Sequence, residues 1–216
     1  MPESTVFLFD VDNTLLDNDA VSADLRAYLT EHFGVERQQR YWDEFEQLRR
    51  ELGYADYLGA LQRFRLAYPH DTHLLMVSDW LIDYPFRERL FPRALDVVER
   101  THAHGRPVIL SDGDVVFQPR KIRRSGLWDA FRGEVLVYIH KELELEDVER
   151  RYPAERYALI DDKVRILAAV KEVWGDRVTT IFVRQGHYAH DEALVASYPT
   201  PDVTVEQIGD LLELTL

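Results

Sequence analysis

Val6-Phe-Leu-Phe-Asp10-Val-Asp12-Asn13-Thr14-Leu-Leu16 is the stretch of this chain that decides the fold. A short apolar run is typical of a buried strand, and this one ends in two carboxylates two residues apart. Strand side chains repeat every two residues, so Asp10 and Asp12 leave the strand end toward the same side. Such a pair can act as nucleophile and proton carrier, and its hard oxygens suit a small divalent cation such as Mg²⁺. An acidic pair alone is more often part of a turn, so this interpretation depends on the rest of the chain.

The composition is that of an ordinary globular protein. The 216 residues include 46% hydrophobic and 30% charged residues, no cysteine, and a formal net charge of −13. Without cysteine, neither disulfides nor thiolate zinc sites can form, and we expect a cytoplasmic protein. No run is apolar enough for a membrane helix, so we expect no membrane partner. The net charge argues against nucleic acid as a partner, but it does not exclude a phosphate ligand, because charges beyond about 10 Å are largely screened at physiological salt.

The order of apolar runs predicts the fold class. The later runs are separated by segments with helical periodicity, and strands that alternate with helices in this way form a parallel sheet covered on both faces. In such sheets the binding sites lie outside the carboxyl ends of the strands. The sequence predicts strands at residues 5–9, 107–110, 134–138, 157–160 and 179–183, with a shorter one at 202–205.

The interval after the first strand breaks this alternation. Residues 17–91 show helical periodicity throughout, which indicates a helical bundle inserted between the first two strands. Because the bundle begins directly after the acidic pair, it can cover that pair. The sequence therefore predicts an α/β core formed by residues 1–16 and 92–216, with a helical cap at 17–91. Polar residues near the turns of the insertion are candidates for substrate contact, namely Arg49, Arg50 and Tyr54.

Polar residues follow four of the predicted strands, and here the sequence becomes specific. In order and spacing, these strand ends resemble the four motifs of the haloacid dehalogenase-like (HAD) hydrolase superfamily, and the helical insertion resembles that family's cap. The resemblance covers nearly the whole chain and implies an α/β fold with a Rossmann-like parallel sheet and an inserted all-helical cap. The four segments are Asp10-Val-Asp12-Asn13-Thr14, Ser111-Asp112-Gly113, Tyr138-Ile-His-Lys141 and Asp161-Asp162-Lys163.

The resemblance assigns catalytic roles to the first three segments. Asp10 matches the nucleophile, which forms an aspartyl-phosphate, and Asp12 matches the general acid and base. The Thr14 hydroxyl could orient Asp12. Ser111 would hydrogen-bond the transferring phosphoryl group, and Lys141 would offset the charge on nucleophile and phosphate. The backbone amides around Asp112 and Gly113 would assist Ser111, while the Asp112 carboxylate either narrows the substrate range or points away.

The fourth segment implies a Mg²⁺ site. Asp162 aligns with the acid of the commoner Gly-Asp form of this motif and is expected to bind the metal directly. Asp161 would be a second or outer ligand, and the Asp10 carboxylate and Asp12 backbone carbonyl would supply the other protein contacts. A cation is needed physically as well, because a carboxylate that approaches a phosphate dianion is repelled by several kcal/mol per charge pair at about 4 Å and intermediate dielectric.

The acid at position 12 points to a branch of the superfamily. Phosphatases and phosphotransferases are expected to carry it, whereas the dehalogenase branch typically lacks it. The resemblance therefore implies a Mg²⁺-dependent phosphomonoesterase that acts on a small phosphorylated metabolite, as a monomer or homodimer. The alternatives are a phosphotransferase such as a sugar-phosphate mutase, a 2-haloacid dehalogenase, and a non-catalytic phosphate-sensing protein.

Other basic residues are interpreted more simply. Lys121 and Lys163 are alternatives to Lys141 as the cation of the site. The run from Arg120 to Arg124 is interpreted as an exposed helix face rather than a nucleic-acid patch. The histidines, including the pair His187 and His190, are interpreted as solvated surface residues without an acidic partner.

Overall fold

The computed structural model describes residues 3–214, which contain a sheet of six parallel strands in the order β3-β2-β1-β4-β5-β6. All six predicted strands are confirmed. Strands β2 and β3 lie on one side of β1, and β4 to β6 lie on the other. The strand order therefore reverses between β1 and β4, and open α/β sheets bind ligands in the crevice at the carboxyl ends of two such strands. The strands are β1 (Glu3–Phe9), β2 (Arg106–Asp112), β3 (Val135–Tyr138), β4 (Ala154–Asp161), β5 (Val178–Val183) and β6 (Val203–Val205).

Strand β1 is buried on both faces, which explains its continuous apolar run. Phe7 and Phe9 belong to the hydrophobic cluster on one face of the sheet, and Val6 and Leu8 to the cluster on the other. Phe9 lies beside Ile160 of β4, so the residues that follow in each strand leave the sheet side by side.

Helices cover both faces of the sheet and fill the interval after β1. Among residues 3–214 no helix is long and apolar enough to cross a membrane. The α-helices are α1 (Asn18–Phe33), α2 (Val35–Leu52), α3 (Tyr57–Ala67), α4 (His73–Asp83), α5 (Ala94–Thr101), α6 (Phe117–Ser125), α7 (Leu127–Ala130), α8 (Leu145–Arg151), α9 (Val164–Trp174), α10 (Gly186–Ala189) and α11 (Glu192–Ala196). Short 3₁₀-helices cover Phe86–Arg89, Lys141–Leu143, Gly175–Arg177 and Ile208–Glu213.

Helices α1 to α4 form the insertion between β1 and β2, and its two connections run side by side. The Asp17 amide donates to the Arg89 carbonyl at 2.7 Å, and the Phe91 amide donates to the Leu15 carbonyl at 3.0 Å. Leu16 also forms an isolated antiparallel bridge with Leu90. The chain therefore enters and leaves the helical segment at one place. The division into a core of residues 1–16 and 92–216 and a cap of 17–91 stays a prediction, and residues 1, 2, 215 and 216 lie outside the described chain.

Aromatic residues join the insertion to the sheet core. Phe45 and Tyr57 of the insertion lie 4.7 Å apart between ring centroids, and Tyr57 lies 5.2 Å from Phe117 at the start of α6. These residues belong to the same hydrophobic cluster as Phe9 of β1. The insertion thus packs on the carboxyl edge of the sheet through apolar contact, and the residues just beyond β1 are enclosed.

Removing the Phe131 side chain should destabilise the edge of the sheet that carries these residues. Phe131 is fully buried, and its ring meets Phe9 edge to face with centroids 5.5 Å apart. We expect Phe131→Ala to lower the free energy of unfolding by about 3–5 kcal/mol, because it removes a buried ring and leaves a cavity. Urea denaturation measures this change, with Leu66→Ala as the control, since Leu66 is 82% exposed. A loss below about 1 kcal/mol would show that Phe131 is not tightly packed.

Candidate active site

Lys141 connects the carboxyl ends of β1 and β4. The Asp10 amide continues the sheet by donating to the Ile160 carbonyl at 2.9 Å, which brings Asp10 beside Asp161. The Lys141 ammonium lies 2.5 Å from Asp10 Oδ1 and 2.7 Å from Asp161 Oδ2, and it donates to the Leu110 carbonyl at 3.2 Å. Burial opposes the charged form of Lys141, but the two carboxylates outweigh it, so the pKa of Lys141 is raised. The predicted nucleophile is therefore held by a charged hydrogen bond.

Thr14 holds Asp10 rather than Asp12, which corrects the expectation from the sequence. Its hydroxyl donates to Asp10 Oδ2 at 3.2 Å. The reason is the tight turn between them: Asn13 has a φ of 64°, and the amides of Thr14 and Leu15 both donate to the Val11 carbonyl. The turn folds Thr14 back over the strand end.

Asp12 is held by two side chains from α6. Lys121 donates to Asp12 Oδ1 at 2.7 Å, and Gln118 donates to Asp12 Oδ2 at 3.2 Å. Gln118 also donates to the Ser111 hydroxyl at 2.9 Å and so connects the first two motifs. Neither role was predicted for Gln118 or Lys121, and the interpretation of Lys121 as part of an exposed face is wrong, since it is 1% exposed. Their spacing of three residues places them on one face of the helix, and this spacing is the feature of the sequence that could have predicted a shared role.

The rest of the basic run on α6 meets the insertion. Arg120 and Arg124 form ion pairs with Asp83 at 3.0 Å and 3.3 Å, and Asp83 is the last residue of α4. These two side chains hold the end of α4 against α6. Arg120, Arg123 and Arg124 are exposed, as the sequence predicted, so the prediction of an exposed face is wrong only for Lys121.

Asp161 and Asp162 differ in how their oxygens are used. Asp161 Oδ1 accepts from the Lys163 amide at 2.8 Å, and its other oxygen forms the ion pair with Lys141. Asp162 is 1% exposed, and neither of its carboxylate oxygens has a hydrogen-bond partner among the described residues. Burial raises the pKa of Asp162 well above the ordinary carboxyl value, and burial also raises that of Asp161. A buried carboxylate that accepts no hydrogen bond is costly, so the two oxygens of Asp162 fit the role of cation ligands.

The charge and spacing of the cluster fit a divalent cation. Oxygen atoms from Asp10, Asp161 and Asp162 lie within 4.8 Å of one another. Five carboxylates face three ammonium groups here, so the fully ionised cluster has a formal charge of −2. Hard oxygen ligands of this kind suit Mg²⁺. The charged groups are Asp10, Asp12, Asp112, Asp161, Asp162, Lys121, Lys141 and Lys163.

Asp112 and Gly113 have structural partners. Asp112 Oδ1 accepts from the Lys141 amide at 2.8 Å, and this bond fixes the loop that carries the lysine. Burial raises the pKa of Asp112. The Gly113 amide donates to the Tyr138 carbonyl at 2.9 Å, and a Cβ atom at Gly113 would lie 2.8 Å from Cβ of Gln118. The glycine therefore makes room for Gln118, and a contact of its amide with a phosphoryl group stays a prediction.

Asn13 joins the acidic motif to the insertion. Its positive φ is tolerated by asparagine, and its side-chain oxygen accepts from the amides of Asn18 at 3.0 Å and Asp19 at 3.1 Å, at the start of α1. Asp19 in turn accepts from the His187 amide at 2.8 Å and lies 2.7 Å from His187 Nδ1. His187 thus has an acidic partner, which the sequence did not reveal. Gly186 is required beside it, because a Cβ there would lie 2.4 Å from Cβ of Asn13.

A cavity of about 690 Å³ lies between the insertion and the carboxyl edge of the sheet. Of the predicted site residues, two line it, namely Asp12 and Asp112. Five others are buried and are not among the residues that line it, namely Asp10, Ser111, Lys141, Asp161 and Asp162. Among the predicted residues of the insertion, Arg49 and Tyr54 line the cavity and Arg50 does not. The wall formed by the insertion includes Arg26, Trp42, Phe45, Arg49, Tyr54 and Tyr57, and the sheet core adds Phe117, Gln118, Lys121, Lys163, His187 and Tyr188.

Comparisons with known proteins agree with this architecture. A model of the haloacid dehalogenase-like hydrolase family matches residues 5–173. No curated protein matches the sequence significantly. A solved structure from Burkholderia xenovorans LB400, assigned as a haloacid dehalogenase-like hydrolase, is 61% identical, with 100% of both chains covered and a TM-score of 0.95.

Two more distant structures share the fold. YfnB of Bacillus subtilis, assigned as a HAD hydrolase and crystallised with magnesium, is 17% identical over 97% of each chain, with a TM-score of 0.65. The L-2-haloacid dehalogenase of Xanthobacter autotrophicus is 20% identical over 98% of each chain, also with a TM-score of 0.65. At these identities the likeness shows the fold alone.

Replacing Asp162 by asparagine should stabilise the metal-free protein. Burial raises the pKa of Asp162 above its value in the unfolded chain, so the folded state loses stability as the pH rises from the ordinary carboxyl range through the raised pKa. The asparagine side chain carries no charge, so Asp162→Asn does not lose stability in this way. We expect its free energy of unfolding at neutral pH in EDTA to be roughly 1–3 kcal/mol higher than that of the wild type. Urea denaturation at pH 5 and pH 8 measures the difference.

The same variant should lose any stabilisation by Mg²⁺, because binding to the folded state alone is what raises stability. Asp176→Asn changes an exposed aspartate and is the control. If Asp162→Asn destabilises the metal-free protein and retains its response to Mg²⁺, Asp162 is not an uncompensated metal ligand.

Proposed function

The chain belongs to the haloacid dehalogenase-like hydrolases, and on that premise we propose that it is a Mg²⁺-dependent phosphomonoesterase that acts on a small phosphorylated metabolite. The observation that carries the proposal is the position of Asp12. Its side chain is 24% exposed and lines the cavity, whereas the predicted nucleophile Asp10 is buried. A carboxyl group at this place can exchange a proton with a bound substrate.

The leaving group distinguishes the two chemistries of the family. A halide is a very weak base and leaves without a proton, so a dehalogenase has no need for a second carboxyl group. An alcohol leaving from phosphorus must take up a proton, and general acid catalysis of this kind contributes about 10²–10⁴-fold to a rate. The placement of Asp12 beside the cavity therefore supports an oxygen leaving group.

Asp10 and Asp12 have different roles in the proposed reaction. The Asp10 carboxylate, oriented by Thr14 and Lys141, attacks phosphorus and forms an aspartyl-phosphate while the P–O bond to the alcohol breaks. Asp12 gives its proton to the departing oxygen. It then takes a proton from the water molecule that attacks the intermediate, which releases phosphate and restores Asp10.

Mg²⁺ would be held by Asp10 and Asp162, with Asp161 as an outer ligand, and when bound it would offset charge on the phosphoryl group. Lys141 holds Asp10 and Asp161 in place throughout, since both contacts are shorter than 3 Å. Ser111 is held by Gln118 with its hydroxyl beside the acidic cluster, where we expect it to bind a phosphoryl oxygen.

The substrate is proposed to be small because the cavity is bounded by the insertion. Its walls combine aromatic rings with charged groups, which suits a compact phosphate ester better than a protein or nucleic-acid chain. A cytoplasmic location and a monomeric or dimeric state stay predictions. Screening a library of phosphorylated metabolites for released phosphate would identify the substrate.

Substitution of the two aspartates should separate their roles. With p-nitrophenyl phosphate and Mg²⁺, we expect Asp10→Asn to lose all measurable turnover, because the nucleophile is gone. Asp12→Asn should lower kcat by about 10²–10⁴-fold, because the amide cannot transfer the proton. Release of p-nitrophenol measures both changes, and Asp176→Asn is the control for an exposed aspartate.

Two outcomes would contradict the proposed function. One is halide release from a 2-haloacid without added metal and without hydrolysis of phosphate esters, which would indicate a dehalogenase. The other is the absence of turnover across a broad panel of phosphate esters with Mg²⁺, which would favour a phosphate-binding protein.

Loss of the Tyr188 hydroxyl should weaken substrate binding. Tyr188, in α10, accepts a hydrogen bond from Arg49 of α2, so this bond joins the insertion to the sheet core at the cavity. We expect Tyr188→Phe to raise KM about fivefold with kcat within about twofold, because a hydrogen bond of this kind contributes on the order of 1 kcal/mol. Steady-state kinetics measure both constants. The control is Tyr198→Phe, because Tyr198 packs against the hydrophobic cluster that contains Val6 and Leu8. An unchanged KM would show that the hydrogen bond between Arg49 and Tyr188 does not contribute to substrate binding.

A further inference from the structure

Two of the three lysines at the site already bind carboxylates. The Lys141 ammonium has three protons and three acceptors, on Asp10, Asp161 and Leu110. The Lys121 ammonium is buried and donates to Asp12 at 2.7 Å and to Asn18 at 2.9 Å. Lys141 cannot contact a substrate without giving up one of these contacts, and Lys121 is held between Asp12 and Asn18.

Lys163 differs from both. Its ammonium lines the cavity and makes no hydrogen bond or ion pair with any side chain in the part of the chain that the structure describes. It lies 5.6 Å from the centre of the Tyr188 ring, over its face. The Lys163 backbone is fixed, since its amide donates to Asp161 at 2.8 Å and the residue directly precedes α9. The backbone is thus anchored while the ammonium stays available.

Two arginines of the cavity already have partners. Arg49 donates to Glu46 and to the Tyr188 hydroxyl, and Arg165 pairs with Glu142 at 2.5 Å. Lys163 is therefore a basic side chain of the cavity that has all its donors free and directly follows Asp162 in the chain. Its position next to Asp162 places it beside the atoms that the reaction changes.

We propose that the Lys163 ammonium binds a non-bridging oxygen of the substrate's phosphoryl group, as a second cation besides Lys141. This inference rests on the proposed function, and it adds a lysine to the one that the motif resemblance implies. A phosphoryl dianion that approaches Asp10 is repelled by the neighbouring carboxylates, and a free ammonium on the cavity side reduces that repulsion. Tyr188 positions the Lys163 side chain, and Arg49 of the insertion holds the Tyr188 hydroxyl.

Binding of inorganic phosphate tests this assignment without turnover. Isothermal titration calorimetry of the protein with saturating MgCl₂ gives the Kd for phosphate in wild type, Lys163→Met and Lys163→Arg. We expect Lys163→Met to weaken phosphate binding by about 10–100-fold, the range for a lost charged hydrogen bond, and Lys163→Arg to recover most of it. Lys171→Met is the matched control, because Lys171 pairs with Asp202 at the surface.

Titration of Mg²⁺ in phosphate-free buffer separates phosphate binding from a structural role. Removing a cation beside Asp162 should leave the Mg²⁺ affinity of Lys163→Met unchanged or higher. Equal weakening of phosphate and Mg²⁺ binding would show that Lys163 only supports the cluster, and it would overturn the proposal. An unchanged Kd for phosphate in Lys163→Met, or no phosphate binding by the wild type at millimolar concentration, would overturn it as well.

The outcomes for Lys163 and for the proposed function are distinguishable. If the wild type binds phosphate through Lys163 but hydrolyses no phosphate ester, the phosphatase proposal fails and the assignment of Lys163 holds. If the wild type hydrolyses phosphate esters and Lys163→Met keeps both KM and kcat, the phosphatase proposal holds and the assignment of Lys163 fails.

Discussion

The contacts of Lys141 with Asp10 and Asp161 are the interaction on which the rest of the site depends. Two neighbouring parallel strands end in carboxylates that are almost fully buried, so water cannot solvate either one. Burying an ion costs several kcal/mol unless partners satisfy it, and the Lys141 ammonium is the partner that both share. The hydrogen bond from its amide to Asp112 ties this lysine to the end of β2. Neither oxygen of Asp162 accepts a hydrogen bond from any residue in the range 3–214, which is the arrangement expected of a cation ligand.

The second constraint is the turn that follows β1. Because Asn13 has a positive φ, the chain reverses within the motif, and Thr14 comes back to Asp10 while Asp12 faces α6. The Asn13 side chain then accepts from the first amides of α1. One residue therefore positions the acidic pair and also starts the insertion. A glycine at this position could adopt the same backbone conformation, but it has no side chain to bond these amides.

The sequence predicts well what depends on local pattern and poorly what depends on two distant elements meeting. The strands were predictable because both faces of the sheet are covered, which produces continuous apolar runs such as 5–9. Asp10 and Asp12 were predictable because they leave one strand end together. Lys121 was not, because a buried lysine looks like a surface lysine until its partner is known, and Asp12 is 109 positions away. The partner of His187 was not predictable for the same reason, because Asp19 is 168 positions away in the sequence.

The position of Asp12 also argues against treating the insertion as a passive cover. Lys121, which holds Asp12, donates to Asn18 at the start of α1, and Asn18 donates to the Tyr57 hydroxyl of α3 at 3.2 Å. Burial raises the pKa of Tyr57 to about 12, so this phenol stays protonated and keeps its place in the chain of hydrogen bonds. Any movement of α3 against the sheet must change the contacts of Asn18, and Asn18 shares its lysine with the proposed acid. The insertion is therefore coupled to Asp12, the proposed general acid, through three hydrogen bonds rather than through packing alone.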